Sequence, residues 1–300
     1  MNQRYYLSVF TAFLIWGFMP LAVRALQGYS VYLILYFRVI VSLLLLVGAG
    51  FTLLSAQWKE AFQVFAQQTR QERRKVIGLT IFSGILLVAN WGIFIYVVNY
   101  IDTQSGAFAY TICPIITAIL GYVILDEKLA RHQWLAIGLC AVSCSLMAGA
   151  VFTNFLFSVL IGFLYALYLV LQRFLKDYDK IVLLTLQLSI AALLIVPMYS
   201  YLAQFPTQPL DSRFFWLVLM VSLFFTVLPL FLNLYALKGL KSATVGVFMY
   251  LNPLTGFTLA FLYFNETVTA NQLIAYLLIT GAILLYNGSP IYKIVKKSFS

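Results

Sequence analysis

The chain has 300 residues, of which 63% are hydrophobic and only 9% are charged. An average soluble domain is about 25% charged, so a water-soluble globule is excluded, and disordered chains are more polar still. A helix needs about 20 apolar residues to cross a bilayer, so this length allows roughly ten crossings with short loops. The composition therefore predicts an all-α membrane protein.

Apolar segments in chain order predict ten helices. They are expected at residues 5–25, 30–54, 76–98, 104–125, 133–150, 154–174, 181–202, 213–237, 242–264 and 271–287. The first segment is too long for the apolar part of a signal peptide, so we interpret it as a membrane helix. The long basic connection after the second helix carries Trp58, Phe62 and Phe65 at the spacing of a short interfacial helix. This connection is either a solvated, orienting loop or a lipid-regulatory segment.

The net charge of +10 is distributed in a way that predicts the orientation in the membrane. If the N-terminus is cytoplasmic, nearly all of the 19 Lys and Arg residues fall in cytoplasmic segments. Arg24 and Arg213 fall outside, and Arg38 lies within the second helix. The positive-inside rule then predicts that both termini are cytoplasmic. The basic charge faces anionic lipid, so nucleic acid is not expected as a partner.

The last three helices of each half resemble each other when the sequence is shifted by five helices. The shift aligns Tyr96 with Tyr235, Pro114 with Pro253, and Glu127 with Glu266. Because five is odd, the second copy is expected to be inverted in the membrane, as in many secondary transporters. We predict a first repeat at residues 1–150, a second at 151–290, and a basic cytoplasmic tail at 291–300.

Several motifs in a fixed order resemble a known family. They are FLIWGFMP (Phe13–Pro20), YFR (Tyr36–Arg38), NWGIFIYVVN (Asn90–Asn99), LDEKL (Leu125–Leu129) and GVFMYLNPLTGFTLAFLYFNE (Gly246–Glu266). Together they resemble the EamA family of the drug/metabolite transporter superfamily, and its RarD-type permeases in particular. The resemblance implies two inverted five-helix repeats and a multi-pass carrier in the bacterial inner membrane. It also implies transport of small metabolites, mostly export.

Arg38 is the most informative single residue of the sequence. It lies about 12 Å below the outer end of the second predicted helix, and no Asp or Glu falls within any of the ten predicted helix cores. An arginine at this depth costs at least about 2.5–3.5 kcal/mol to insert. Its planar fork suits a carboxylate or a phosphate, so Arg38 is a candidate substrate anchor. The alternative is a structural clamp on backbone carbonyls or tyrosine hydroxyls.

Three polar or aromatic residues of the predicted first and third helices are further candidates for substrate binding. Asn90 falls near the middle of the third helix, where a buried amide must be hydrogen-bonded. Trp91 follows it and could form a cavity wall or simply pack. Trp16 precedes Pro20 in the first helix, where a proline kink is the structural alternative.

The fourth and ninth helices each present a face of small, tyrosine and proline residues. Because a proline frees a backbone carbonyl, such faces are tolerated in a membrane where protein or a wet cavity meets them. We expect them either to line the substrate cavity or to form a helix–helix seam. The candidates here are Tyr110, Pro114, Tyr250, Asn252 and Pro253. Gln187 in the seventh helix and Asn233 in the eighth are second-tier candidates.

The sequence contains neither a metal-ligand cluster nor a nucleotide-binding motif or nucleophile–base pair, so we expect no cofactor and no enzyme. The three cysteines are expected to be free core thiols. The predicted function is a secondary transporter of a small polar metabolite, an amino acid, anion or drug-like solute, by alternating access. The expected partners are this solute and membrane lipids, and the carrier is expected to be monomeric. The alternatives are a lipid-handling flippase and a membrane-embedded transferase with a lipid substrate.

Overall fold

The computed structural model describes residues 3–52, 55–100, 103–147, 152–205, 208–263, 273–275 and 277–286. Every regular element in these ranges is helical, as the composition predicts. The helices are α1 Gln3–Gly17, α2 Met19–Ala25, α3 Val31–Thr52, α4 Ser55–Gln67, α5 Arg70–Tyr100, α6 Thr103–Leu125, α7 Arg131–Met147, α8 Phe152–Phe174, α9 Lys180–Ile195, α10 Tyr199–Leu202, α11 Ser212–Ser222, α12 Leu228–Gly239, α13 Ser242–Phe248 and α14 Leu251–Leu262. Residues 273–275 and 277–286 are also helical.

Five helical segments are long and apolar enough to cross a membrane. They are Val31–Gly50, Arg70–Phe94, Leu156–Phe174, Lys180–Leu202 and Ser212–Gly239. Large apolar side chains on their outer faces are exposed, among them Leu44 and Leu193, as expected where lipid replaces water. Ten crossings and cytoplasmic termini stay predictions.

Four segments predicted as single helices are divided, and a proline lies at or just after each division. The first predicted helix is interrupted between Gly17 and Met19, beside Pro20. A 3₁₀ turn, Val196–Met198, separates α9 from α10, and a π-helical turn, Leu223–Val227, separates α11 from α12. The ninth predicted helix is divided between α13 and α14. Proline removes a backbone N–H and its ring clashes with the carbonyl four residues earlier, which explains why the regular helix ends there.

The long connection after α3 is more helical than predicted. The short helix expected around Trp58 forms as α4, and α5 begins at Arg70, six residues before the predicted start at 76. Thr69 and Glu72 form a capping box, since the Thr69 N–H donates to Glu72 Oε2 at 2.8 Å and the Glu72 N–H donates to Thr69 Oγ1 at 3.3 Å. Such a box satisfies the free N–H groups of a first turn, and it explains the early start.

The chain folds into two compact units. The first unit comprises Met1–Ile95 and Leu171–Gly239, and the second comprises Tyr96–Val170 and Leu240–Ser300. In the first unit α1 packs along α12, and α3 packs on α9 and α11. In the second unit α6 packs along α13 and on α7. Each unit thus combines segments from both halves of the sequence, whereas the predicted boundary at residue 150 follows the repeat and stays a prediction.

Candidate functional site

The candidate site of the first unit lies where the regular α-helix is interrupted, just before Pro229. Pro229 has no N–H, so the carbonyl of Phe225, four residues earlier, receives no helical hydrogen bond from it. The chain widens here into the π-helical turn Leu223–Val227. Such turns inside α-helices are frequently found at functional sites.

Two side chains from other helices bond to this carbonyl. Trp16 of α1 donates its indole Nε1–H to the Phe225 oxygen at 2.9 Å, and Arg38 of α3 donates from Nη2 at 3.2 Å. Both bonds lie within the ordinary range, and the one from Arg38 is charge-assisted. The carbonyl released by Pro229 therefore joins α1 and α3 to the π-helical turn.

Arg38 has a second anchor in the same turn. Its Nε donates to Thr226 Oγ1 at 2.5 Å, and the Ser222 hydroxyl donates to the Arg38 carbonyl at 3.3 Å. Ser42, one turn along α3, donates to the Ser222 carbonyl at 3.5 Å. Arg38 is half-buried, and these contacts hold its guanidinium against one wall of the unit.

Trp91 of α5 forms a further part of the Arg38 site. The Arg38 guanidinium carbon lies 5.1 Å from the centre of the Trp91 ring, which is the distance of a cation–π contact. Trp91 is only 9% exposed, and the neighbouring Asn90 is fully buried. The structure therefore brings three of the predicted residues, Arg38, Trp91 and Trp16, to one place.

Gln187 and Asn233 are also fully buried in the first unit. Gln187 of α9 donates from Nε2 to Gln172 Oε1 of α8 at 3.2 Å, which links these two helices. Asn233 lies on α12, one turn after Pro229. Both residues were predicted as second-tier candidates, and their role in binding stays a prediction.

In the second unit, the predicted face of the fourth helix meets α13. A Cβ on Gly246 would lie 2.9 Å from Thr117 Cβ and 3.5 Å from Pro114 Cα, so α6 and α13 approach each other closely at this glycine. Tyr250 is fully buried beside Ala118 and Cys140 in the core of this unit. These contacts are those of the helix–helix seam that the sequence left open as the alternative to a cavity wall.

Tyr110, Asn252 and Pro253 lie in the same unit. The Tyr110 ring meets the Tyr165 ring edge-on at 6.3 Å. Pro253 lies in the first turn of α14, after the division from α13, while α6 runs through Pro114 without interruption. The half-buried Asn252 has an Oδ1 atom that is shielded from solvent and has no hydrogen-bond partner among the described residues. The roles of these residues in substrate binding stay predictions.

Glu127, which the repeat aligns with Glu266, connects the loop after α6 to the start of α13. Its carboxylate accepts hydrogen bonds from the Ser242 N–H at 2.8 Å, the Ser242 hydroxyl at 3.0 Å and the Ala243 N–H at 3.2 Å. It thereby caps the first turn of α13 from the loop after α6. Its repeat partner, Glu266, lies outside the described residues.

Several contributors to the Arg38 site were not identified from the sequence. Thr226 and the Phe225 carbonyl were missed, although Pro229 marks the position of the freed carbonyl. The three cysteines are free and buried, as predicted. In the described part of the chain no group of three or more His, Cys, Asp or Glu residues could hold a metal ion. The chemistry available at the Arg38 site is a fixed cation beside an aromatic wall.

Comparison with known proteins gives a family match, similar proteins and a shared fold. The EamA-like transporter family matches this chain twice, at residues 3–149 and 153–288. An uncharacterized transporter of Vibrio cholerae is 27% identical over 94% of this chain and 91% of that protein. Protein RarD of Salmonella typhimurium is 25% identical over 97% of both chains. One solved crystal structure superposes with a TM-score of 0.74 at 14% identity, covering 95% of this chain and 96% of that chain, and so shares the fold.

Proposed function

Because this chain belongs to the EamA-like transporter family, it is a membrane transporter, and we propose that it carries a small polar metabolite with a carboxylate or another anionic group. The family and its relatives named as transporters support this class of function, and they do not favour the flippase or the transferase. The proposal includes the finer features that the sequence predicts: ten spans, both termini in the cytoplasm, location in the inner membrane, and export by alternating access.

The observation that carries the proposed substrate class is the placement of Arg38. The Thr226 hydroxyl, the Phe225 carbonyl and the Trp91 ring are all neutral, so these contacts orient the guanidinium without removing its charge. A guanidinium presents five N–H donors in a planar fork. A fixed fork of this kind binds carboxylates in a bidentate manner, which a lysine cannot reproduce.

Trp91 and Trp16 complete this proposed site. An indole ring over a cation supplies an apolar wall, which favours a small solute with an apolar part next to its anionic group. The hydrogen bond of Trp16 to the Phe225 carbonyl helps to hold in place the carbonyl to which Arg38 is bonded. Amino acids and small organic acids combine these features.

A thermal-shift screen on the purified full-length protein tests the proposal. Amino acids, organic acids and drug-like solutes are added to the wild type, Arg38→Gln and Arg38→Lys, at up to tens of millimolar. A ligand at 100 times its Kd stabilises by about 2.7 kcal/mol, so a weak substrate is detectable only at high concentration. Arg213→Gln is the matched control, because Arg213 is an exposed arginine on α11.

The expected result is a carboxylate-bearing solute that stabilises the wild type and Arg213→Gln but not Arg38→Gln. Arg38→Lys should respond weakly, because it keeps the charge and loses the fork. Counterflow of the same solute in proteoliposomes then measures transport. A solute that stabilises Arg38→Gln as much as the wild type, or only neutral solutes among the hits, would reject the proposed role of Arg38.

A further inference from the structure

Two hydroxyls of α5 depart from the usual behaviour of serine and threonine in helices. Within a helix these hydroxyls normally bond back to the carbonyl four residues earlier. In the first unit Thr185 does so to Ile181 and Ser189 does so to Thr185, each at 2.8 Å. Thr80 and Ser83, at 5% and 0% exposure, have hydroxyls with no hydrogen-bond partner among the described residues.

A third buried side chain also has a polar group without a hydrogen-bond partner among the described residues. Gln172 of α8 is fully buried, and its Oε1 accepts the hydrogen bond from Gln187 at 3.2 Å. Its Nε2 group has no partner in the described part of the chain. The amide of Gln172 therefore offers donors that the surrounding protein does not use.

The helix packing brings these groups to one region of the first unit. Gln68 and Tyr178, each two residues before the start of α5 or α9, are hydrogen-bonded at 2.6 Å, so both helices begin at the same end of the unit. Further from the N-terminal ends of both helices, a Cβ added to Gly84 would lie 3.0 Å from the Gln187 carbonyl oxygen, so α5 and α9 are in close contact there.

Side chains in α-helices lean toward the N-terminus of their own helix. The Gln187 amide therefore leans toward the side of Gly84 on which Ser83 and Thr80 lie. Gln172, bonded to Gln187, lies in the same layer. The two hydroxyls of α5 and the Gln172 amide of α8 are thus placed at a similar level of the first unit, next to the contact of α5 with α9.

Three unsatisfied polar groups in one region are unusual. Each buried group without a partner costs about 1–3 kcal/mol, and native proteins keep few of them. We infer that Thr80, Ser83 and Gln172 form a second polar subsite, which binds an uncharged hydrogen-bonding group of the solute, a hydroxyl or an amide. This inference rests on the proposed transport function and adds a second position on the solute path.

The subsite is separate from the Arg38 site. Trp91, which contacts Arg38, lies eight residues after Ser83 on the same helix, or about 12 Å along its axis. A small metabolite cannot contact both positions at once, so it occupies them in turn. The Arg38 site takes the anionic group, and the α5 subsite takes neutral polar groups.

Cysteine labelling of the full-length protein in proteoliposomes tests the subsite. Ser83→Cys is treated with a water-soluble cationic methanethiosulfonate reagent, and the labelled fraction is measured by mass spectrometry. Ser143→Cys is the matched control, because Ser143 is equally buried but its hydroxyl donates to the Ala275 carbonyl at 2.9 Å. The wild-type protein, with and without the reagent, gives the background labelling of the three native cysteines, all of which are buried.

Ser83→Cys should be labelled at least about tenfold faster than Ser143→Cys, since only a thiolate in contact with water reacts. Molar acetamide, a neutral amide, should slow this labelling about twofold when it half-occupies the subsite, whereas acetate should not. Equal labelling rates of the two variants would overturn the subsite. Fast labelling that acetamide leaves unchanged, or that acetate slows equally, would overturn its ligand class.

This experiment is independent of the Arg38 screen. If no carboxylate-bearing solute stabilises the wild type, the proposed substrate class fails, yet the labelling rates still decide whether the α5 groups form a polar subsite. Thermal midpoints of both cysteine variants show that each is folded. The thermal midpoints of Thr80→Val and Thr185→Val give a second test. Among the described residues the Thr80 hydroxyl has no hydrogen bond to lose, whereas the Thr185 hydroxyl has one. Thr80→Val should leave the thermal midpoint unchanged or raise it, and a loss as large as that of Thr185→Val would contradict the subsite.

Discussion

Pro229 cannot donate to the carbonyl of Phe225, four residues earlier, and two other helices attach to this backbone atom. Arg38 and Trp16 both donate to it, at 3.2 and 2.9 Å. The position of a cation in α3 is therefore determined by a proline in α12. A binding group held in this way is pre-organised, because the bonds that fix it exist before the ligand arrives.

Trp16→Phe should destabilise the protein by about 1 kcal/mol, the usual net value of one hydrogen bond. The phenyl ring retains an aromatic side chain beside Phe13, whose ring centre lies 5.3 Å from that of Trp16, but it lacks the indole N–H donor and is smaller than indole. The thermal midpoint of the purified protein measures the effect. Trp216→Phe is the control, because Trp216 is 64% exposed on α11. Equal midpoints for the two variants would contradict the anchoring role of Trp16.

Gly246→Ala should destabilise the second unit by about 1–3 kcal/mol, the typical cost of overpacking. The new methyl group would lie 2.9 Å from Thr117 Cβ, a distance that real contacts do not reach, so α6 and α13 would have to separate. Gly138→Ala on α7 is the control, because no atom lies within 4 Å of its added Cβ. The seam is disproved if Gly246→Ala unfolds at the same temperature as the control.

The sequence predicts Arg38 well because a cation inside an apolar segment is conspicuous and costly. Its partners could not be predicted in the same way. One is a backbone carbonyl, which has no side-chain signature, and another is Thr226, one of many hydroxyls in the chain. The proline that frees the carbonyl is visible in the sequence, but which side chains meet it depends on the packing of α1 and α3.

The repeat shows a second limit of what can be predicted from the sequence. Pro114 and Pro253 occupy equivalent positions in the sequence, yet α6 runs through the first and the helix is divided just before the second. Local sequence fixes which hydrogen bond each proline removes, whereas the neighbouring helices decide whether the helix bends or breaks. For the same reason the sequence could not show that Thr80 and Ser83 lack the backbone bond that Thr185 makes.

Asp211 should make the stability of the first unit depend on acid pH. Its carboxylate accepts the Phe214 N–H at 2.9 Å as the N-cap of α11 and the Tyr29 hydroxyl at 2.8 Å. These bonds, the Phe214 bond first, hold the pKa of Asp211 below its ordinary value of 3.8. A carboxyl whose pKa is lowered on folding stabilises the protein above its unfolded pKa, and this contribution is lost as the pH falls through the folded pKa.

Thermal midpoints of the wild type and Asp211→Asn, measured from pH 7 to below about pH 4, test this. Asparagine caps helices about as well as aspartate, so the two should differ little at pH 7 and no charge is left to titrate. The wild type should lose more of its midpoint on acidification than the variant. Parallel pH curves for the two proteins would contradict the assignment.

Glu127→Gln should weaken the contact between the loop after α6 and the start of α13. The wild-type carboxylate accepts three hydrogen bonds through two oxygens, and bonds to a charged group contribute about 1.5–3 kcal/mol. Glutamine replaces one acceptor with an NH₂ group that faces N–H donors, and it also removes the negative charge from a helix N-terminus. We therefore expect a loss of at least about 2 kcal/mol. Glu60→Gln on the exposed side of α4 is the matched control, and its thermal midpoint should equal that of the wild type. If Glu127→Gln unfolds with the control, the cap contributes nothing to stability.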